Sequence, residues 1–256
     1  MSGQLTLLGV GASAGTPVVG CECNTCKSTN NKNYRTRCSS VLTLKNGKNI
    51  LIDTSPDLRL QSLREGLTSI DAVLFTHHHA DHCHGIDDLR AFCQINKKQI
   101  PLYGNRFSID ELNKKFQYAM TEPNGFWEVP ILKPNVINDP IELFGQNIRP
   151  IPVFHGKALI NGYRLGNVAY LTDVSKIPDS SMEQLQNLDV LFLDCLRNEP
   201  HPTHLSVKES LEIASELKAK KTFLIHMTHD LEYDALSKIL PESIYVGYDG
   251  LKINVN

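Results

Sequence analysis

Ala72-Val73-Leu74-Phe75-Thr76-His77-His78-His79-Ala80-Asp81-His82 joins a short apolar run to a cluster of metal-competent side chains. The cluster has the form H-x-H-x-D-H, with His77, His79, Asp81 and His82 inside six consecutive positions. An apolar run of this kind reads as a strand, and a loop at its end projects imidazoles and a carboxylate from one rigid edge. Imidazole with carboxylate suits zinc, manganese or iron. Packing alone calls for no such cluster; the competing reading is a solvated histidine-rich loop.

The same logic of a strand followed by a polar side chain recurs through the second half. The run 148–154 ends at His155, 168–171 leads to Asp173, 190–193 ends at Asp194, and 222–225 ends at His226. One histidine at a strand end is usually structural. Several, in a chain with ten histidines, point to a shared site. Ligands in sheets covered by helices sit at strand ends.

Around these anchors the chain alternates strands and helices. Residues 5–8 read as a strand entering the glycine loop 9–17, whose three glycines allow close approach of backbone to a metal site or a phosphate. Val41-Leu42-Thr43-Leu44 and Ile50-Leu51-Ile52 flank Asn46-Gly47, a hairpin signal. Helical spacing appears over 58–67, 86–95, 109–116, 205–217 and 230–239, and 244–255 reads as a closing pair of short strands around Asp249-Gly250. The pattern is α/β, with sheets covered by helices. Residues 105–140 interrupt it with four prolines and Trp127, as a lid, a contact insertion or a surface loop without function would.

Composition narrows the function. The 256 residues suffice for a sizeable core, expected as one domain over 1–256. A formal net charge of -2 provides no basic field for large nucleic acids. Neither a membrane span nor a basic-then-apolar leader is seen, so a cytoplasmic location is expected. Three of the seven cysteines form C-x-C-x-x-C, namely Cys21, Cys23 and Cys26. In a reducing compartment this reads as three ligands of a structural zinc with the fourth from elsewhere, or as a redox pair of Cys23 and Cys26. Cys38, Cys83, Cys93 and Cys195 read as small buried hydrophobes. His78, His84 and His201 read as surface residues. Lys157, two residues past His155, is a candidate phosphate contact, with Arg37 and Arg90 behind it.

With these residues in place the chain resembles the metallo-β-lactamase superfamily. The pattern H-x-H-x-D-H falls on His77, His79, Asp81 and His82, the later ligands on His155, Asp173 and His226, and a supporting aspartate on Asp53. Within it the chain is similar to PhnP-type phosphodiesterases. The features are the glycine loop with Gly20-Cys21-Glu22-Cys23-Asn24-Thr25-Cys26, the run Tyr34-Arg35-Thr36-Arg37-Cys38-Ser39-Ser40, the pair His226 and His229, and Val246-Gly247-Tyr248-Asp249-Gly250. The resemblance implies a four-layer αββα sandwich, a possible homodimer, and two catalytic metal ions, Mn2+ or Zn2+. His77, His79 and His155 would hold one, Asp81, His82 and His226 the other, and Asp173 would bridge. His229 would complete the cysteine-bound structural Zn2+. Asp81 and His204 are then the residues of the chemistry, His204 as a non-ligand general acid or oxyanion stabiliser. The implied reaction is cleavage of a small cyclic or nucleotide-like phosphodiester by metal-bound hydroxide attack on phosphorus.

Alternatives stay open. A two-metal hydroxide also attacks lactones and thioesters. PqqB-like cofactor-biosynthesis proteins share a cysteine loop of this type. A tRNA 3′-processing nuclease would need a longer lysine-rich arm than 105–140 offers. A non-enzymatic metal-dependent binding module would lack one of the seven ligands.

Overall fold

The computed structural model describes residues 3–120 and 132–255. Two seven-stranded sheets face each other. The first contains β1 (Gly3–Gly9), β2 (Ser39–Leu44), β3 (Asn49–Ile52), β4 (Ala72–Leu74), β5 (Ile100–Gly104), β6 (Leu132–Val136) and β14 (Lys252–Val255), in the order β14-β1-β2-β3-β4-β5-β6. The second contains β7 (Ile141–Leu143), β8 (Gln146–His155), β9 (Ala158–Leu165), β10 (Val168–Leu171), β11 (Val190–Asp194), β12 (Lys221–Ile225) and β13 (Ile244–Val246), in the order β13-β12-β11-β10-β9-β8-β7. Helices α1 (Leu58–Glu65), α2 (Ala80–Cys83), α3 (Leu89–Asn96), α4 (Arg106–Lys115) and α5 (Gln117–Met120) go with the first sheet. Helices α6 (Asp179–Glu183), α7 (Val207–Leu217) and α8 (Tyr233–Ile239) follow strands of the second.

Three apolar layers hold this together. Successive strand residues point to opposite faces, and here both faces are covered. Ala72 and Leu74 enter the core between the sheets while Val73 enters the core under the helices. On β11, Val190 and Phe192 face the inter-sheet core, and Leu191 and Leu193 face the layer that holds Leu205, Ala214 and Leu217. Two covered faces are why these strands are continuous apolar runs. The αββα sandwich expected from the sequence is the observed architecture.

Several local expectations change. The segment 244–255 is not a pair: β13 joins β12 of the second sheet and β14 joins β1 of the first. The buried Asp249 carboxylate accepts the Val10 and Thr36 amides at 3.0 and 2.9 Å and anchors the crossing. In the glycine loop, Gly9 and Gly11 serve the approach of backbone to backbone. A Cβ on Gly9 would lie 2.1 Å from the Arg37 carbonyl, and one on Gly11 2.7 Å from that of Arg35, so these glycines let two backbones touch. Part of 105–140 is sheet, since β6 pairs with β5 as an edge strand, where Pro134 is tolerated. The prolines and Trp127 within 121–131 lie outside the described residues, and so does that part of the lid reading.

Candidate metal centre and cysteine site

At one edge of the sandwich the strand ends of both sheets converge. β4 leads through Thr76 into the H-x-H-x-D-H segment, which is partly helical rather than a loop, with Asp81 and His82 on α2. β8 ends on His155, β10 leads to Asp173 and β12 leads to His226. Three residues just past strand ends adopt a left-handed backbone: Asp53 (φ 59°), Asp173 (φ 59°) and His226 (φ 60°). That conformation costs about 1 kcal/mol each, and it turns the chain so that the side chain enters the edge. Strain of this kind gathers where function constrains geometry. The sheets are tied together here, because the Tyr163 phenol donates to the Phe75 carbonyl at 2.6 Å and the Asn161 amide to the Thr76 carbonyl at 3.1 Å.

The convergent side chains fall into two adjoining clusters. His77, His79 and His155 form one, and Asp81, His82, Asp173 and His226 the other, with donor atoms in each within 4.8 Å of one another. Asp173 presents a different oxygen to each. Its Oδ1 is 3.8 Å from His77 Nε2, while its Oδ2 is 3.1 Å from His82 Nε2 and 3.4 Å from His226 Nε2. Asp81 Oδ2 lies 3.4 Å from His82 Nε2 and 3.6 Å from His226 Nε2.

The outer hydrogen bonds leave the inward nitrogens free. Asp53, fully buried, accepts His82 Nδ1–H at 2.8 Å and the Thr76 amide and hydroxyl at 2.8 and 2.7 Å. The Thr203 carbonyl accepts His155 Nδ1–H at 2.9 Å. These partners hold the His82 and His155 rings with Nε2 turned inward, the orientation that metal-binding histidines use. Nε2 of His77, His82 and His226 is buried with no hydrogen-bond partner. Three orphaned buried nitrogens pointing at one carboxylate are costly unless a cation lies between them, so the donor set fits divalent metals. Burial pushes His77 down, aided by neighbouring His82, and burial also lowers His79 and His155, which keeps them neutral. Burial pushes the carboxyls of Asp81 and Asp173 up, but the imidazoles of His82 and His226 outweigh it and hold both well below the carboxylate range.

His204 stands beside this group. Its ring stacks on His226 at 4.9 Å and lies 4.8 Å from His155. Its Nε2 is 3.9 Å from Asp173 Oδ1 and its Nδ1 3.4 Å from Asp194 Oδ1. Asp194 is the residue the sequence reading noted at a strand end and left without a role. Fully buried, it accepts the Asp173 amide at 3.0 Å and the Leu205 amide at 2.9 Å, bracing Asp173 and the His204 segment together. Lys157 is exposed on the turn after His155, whereas Arg37 is engaged by Asp57 at 2.9 Å. Arg90 lies on α3, near Tyr118. His84 is exposed, but His78 and His201 are half-buried rather than surface residues.

A second site brings the cysteine loop to the far end of the chain. The Sγ atoms of Cys21, Cys23 and Cys26 lie 3.3, 3.4 and 3.5 Å from His229 Nδ1. A tetrahedral zinc with ordinary Zn–S and Zn–N bonds places sulfur and nitrogen about 3.5 Å apart. All three distances agree, so the site fits that ion. The Cys26 amide lowers the Cys23 thiol to about 6, toward the thiolate that metals require. The four remaining cysteines are buried, as expected.

Known proteins place the chain further. Residues 48–227 match the β-lactamase superfamily domain. A diphosphatase from the PhnP family is 43% identical in sequence, superposes with a TM-score of 0.93, and the match covers 99% of this chain and 98% of that one. PqqB from Methylobacterium extorquens, solved with Zn2+ bound, shares the fold at 18% identity (TM-score 0.79, covering 98% of this chain and all of that one). The human short-form tRNase Z does so at 17% (TM-score 0.70, 98% of each chain). An octanoyltransferase of Porphyromonas gingivalis is 36% identical over 251 residues, 96% of this chain and 50% of that protein, so the chain spans about half the length of this curated relative. The two likenesses below one-fifth identity show the fold alone. The chain belongs to the β-lactamase superfamily and, within it, to the PhnP family of metallo-β-lactamase-fold hydrolases.

Proposed function

We propose that this protein is a two-metal hydrolase of small phosphodiesters, cyclic or nucleotide-like. One observation carries the reading: Asp173 offers one carboxylate oxygen to each of two donor clusters. In this reading His77, His79 and His155 hold one cation, Asp81, His82 and His226 hold the other, and Asp173 lies between. Zinc and manganese both suit the donors. Such a pair supplies an activated water near neutral pH and offsets charge on the phosphoryl oxygens. Cys21, Cys23, Cys26 and His229 hold a structural zinc.

The chain's own residues do the rest. His204, held by Asp194 beside Asp173, donates a proton to the leaving oxygen, a contribution of roughly 10²–10⁴-fold. Asp53 and the Thr203 carbonyl keep His82 and His155 aimed inward. Lys157 supplies a cation at the outer edge. The net charge of -2 supports a small substrate rather than a large nucleic acid. Among the described residues no helix is long and apolar enough to cross a membrane. A cytoplasmic location and a homodimer belong to the same reading. The PhnP-family diphosphatase supports phosphorus chemistry, since it is 43% identical over nearly the whole chain.

A second reading, hydrolysis of an acyl ester or thioester, draws on the likeness to half of an octanoyltransferase. An activated water attacks carbonyl carbon as well. The deciding experiment is turnover of bis-p-nitrophenyl phosphate, 2′,3′-cyclic AMP and p-nitrophenyl octanoate by protein loaded with zinc or manganese. Phosphodiester turnover that exceeds ester turnover is expected. Ester turnover with neither phosphodiester cleaved would sink the phosphodiesterase reading.

A further inference from the structure

The mouth of the metal centre has a rim that holds no cation. In the first donor cluster His77 and His155 are buried and His79 is exposed, so the centre opens on the His79 side. A row of rings starts there. His78 lies 5.4 Å from His79, and Phe107, on the first turn of α4, meets His78 edge-on at 5.0 Å. From His79 the row also runs through His155, 5.1 Å away, to His204 at a further 4.8 Å. An unbroken series of ring contacts thus joins Phe107 to the reaction centre.

Phe107 has no place in the core. It is 57% exposed, while α4 buries Ser108, Ile109 and Leu112. Leu159, next to the β8–β9 turn, is 50% exposed and belongs to the same rim. Asn105 ties the two together. Its side-chain amide donates to the Leu159 carbonyl at 3.1 Å, and its Oδ1 accepts the Ser108 amide at 2.8 Å as the cap of α4. One side chain thus fixes the start of α4 to a hairpin of the second sheet. Lys115, at the far end of α4, donates to the His78 carbonyl at 2.7 Å. Single exposed apolar side chains are ordinary on a protein surface, but two on a braced rim beside a donor cluster mark a binding edge. A ring held in place before a ligand arrives loses little freedom on binding.

We propose that Phe107 is the stacking platform for a planar aromatic group of the substrate, of the nucleobase kind, with Leu159 against the edge of that group. Stacking on an aromatic face is open to every base, because each has a π-face. Phe107 touches the remote ring and not the reacting atoms, so its role is specificity. The inference rests on the phosphodiesterase reading above and narrows it to diesters whose organic part carries such a ring.

The test compares 2′,3′-cyclic AMP with methyl riboside 2′,3′-cyclic phosphate, in which a methoxy group replaces the base, using metal-loaded wild type, Phe107→Ala and Phe107→Trp. The scissile bond is identical and only the stacking ring differs. Wild type is expected to prefer the nucleotide in kcat/KM by roughly 10- to 100-fold, the span of one base stacked on an aromatic side chain. Phe107→Ala should remove most of that preference by raising KM for the nucleotide, at unchanged metal content, and Phe107→Trp should keep it. An equal loss on both esters would make Phe107 a support for His78 and His79 and overturn the proposal. So would a preference that survives Phe107→Ala, or a wild type with none. If neither ester is hydrolysed, the phosphodiesterase reading fails. Calorimetric titration of both esters then decides the subsite: tighter binding of the nucleotide by wild type, lost in Phe107→Ala, upholds it, and equal affinities overturn it.

Discussion

His204 stands beside both clusters, its ring 4.9 Å from that of His226 and 4.8 Å from that of His155. Its Nδ1 faces Asp194 at 3.4 Å and its Nε2 faces Asp173 at 3.9 Å. A group placed to give a proton, and not to hold a cation, should be separable from metal binding. His204→Ala is therefore expected to lower kcat roughly 10²–10⁴-fold at unchanged metal content. Loss of metal equivalents in that variant, measured by elemental analysis, would make His204 a ligand instead. The ligand candidates themselves were legible from single residues, because each ends or follows an apolar run and a strand end cannot hide its next side chain. Asp194 is equally visible at the end of its strand, but its role is not. Its task, accepting the amides of Asp173 and Leu205, involves partners 21 and 11 residues away, which no local pattern reveals.

At the scale of elements, the cysteine loop and the segment after β12 make one unit. Arg35, almost fully buried, donates to the Thr228 carbonyl at 2.8 Å and to the Leu231 carbonyl, on either side of His229. Cys23→Ser should remove one zinc equivalent and lower Tm while the two inner equivalents remain. A variant with full zinc content would show that the four residues do not form a metal site. A second joint lies at Asp71, before β4. Its buried carboxylate accepts the Asn49 amide at 2.9 Å and pairs with Lys48 at 3.0 Å and with Lys98. Burial pushes Asp71 up, but Lys98, the Asn49 amide and Lys48 together hold it below the usual carboxylate range. A carboxyl lowered in the folded state stabilises above its unfolded pKa, and that contribution is lost as pH falls through the folded value. Asp71→Asn is expected to destabilise by about 1–2 kcal/mol near pH 7. Urea denaturation should find the gap from wild type closing as pH falls below the ordinary carboxylate range. A gap constant over that range would refute the charge argument.

Over the whole molecule, the proposed catalytic ligands come from both sheets. His77, His79, Asp81 and His82 follow β4 of the first, while His155, Asp173 and His226 end or follow strands of the second. Cations held there clasp the two halves at one edge, and ions that bind only the folded chain stabilise it by mass action. Chelator treatment is expected to lower Tm by several degrees and to abolish turnover, with zinc or manganese restoring both. A Tm indifferent to chelator, in protein shown by elemental analysis to have lost its metals, would mean that the sheets are held at this edge by packing and by the Tyr163–Phe75 and Asn161–Thr76 hydrogen bonds.

By itself the sequence determined the alternation of strands and helices, the residues that end strands with metal-competent side chains, and the spacing of the cysteine ligands. Those are local properties, set by the alternation of apolar positions and by where each run stops. Only the tertiary structure decided that β13 and β14 belong to different sheets, that β6 closes an edge, that Asp173 turns one oxygen toward each cluster, and that His229 meets three cysteines more than 200 residues away. The physical reason is the same in each case. Which sheet a short apolar strand joins, and which way a side chain turns at its end, follow from burial against residues distant in sequence, and no periodicity encodes them.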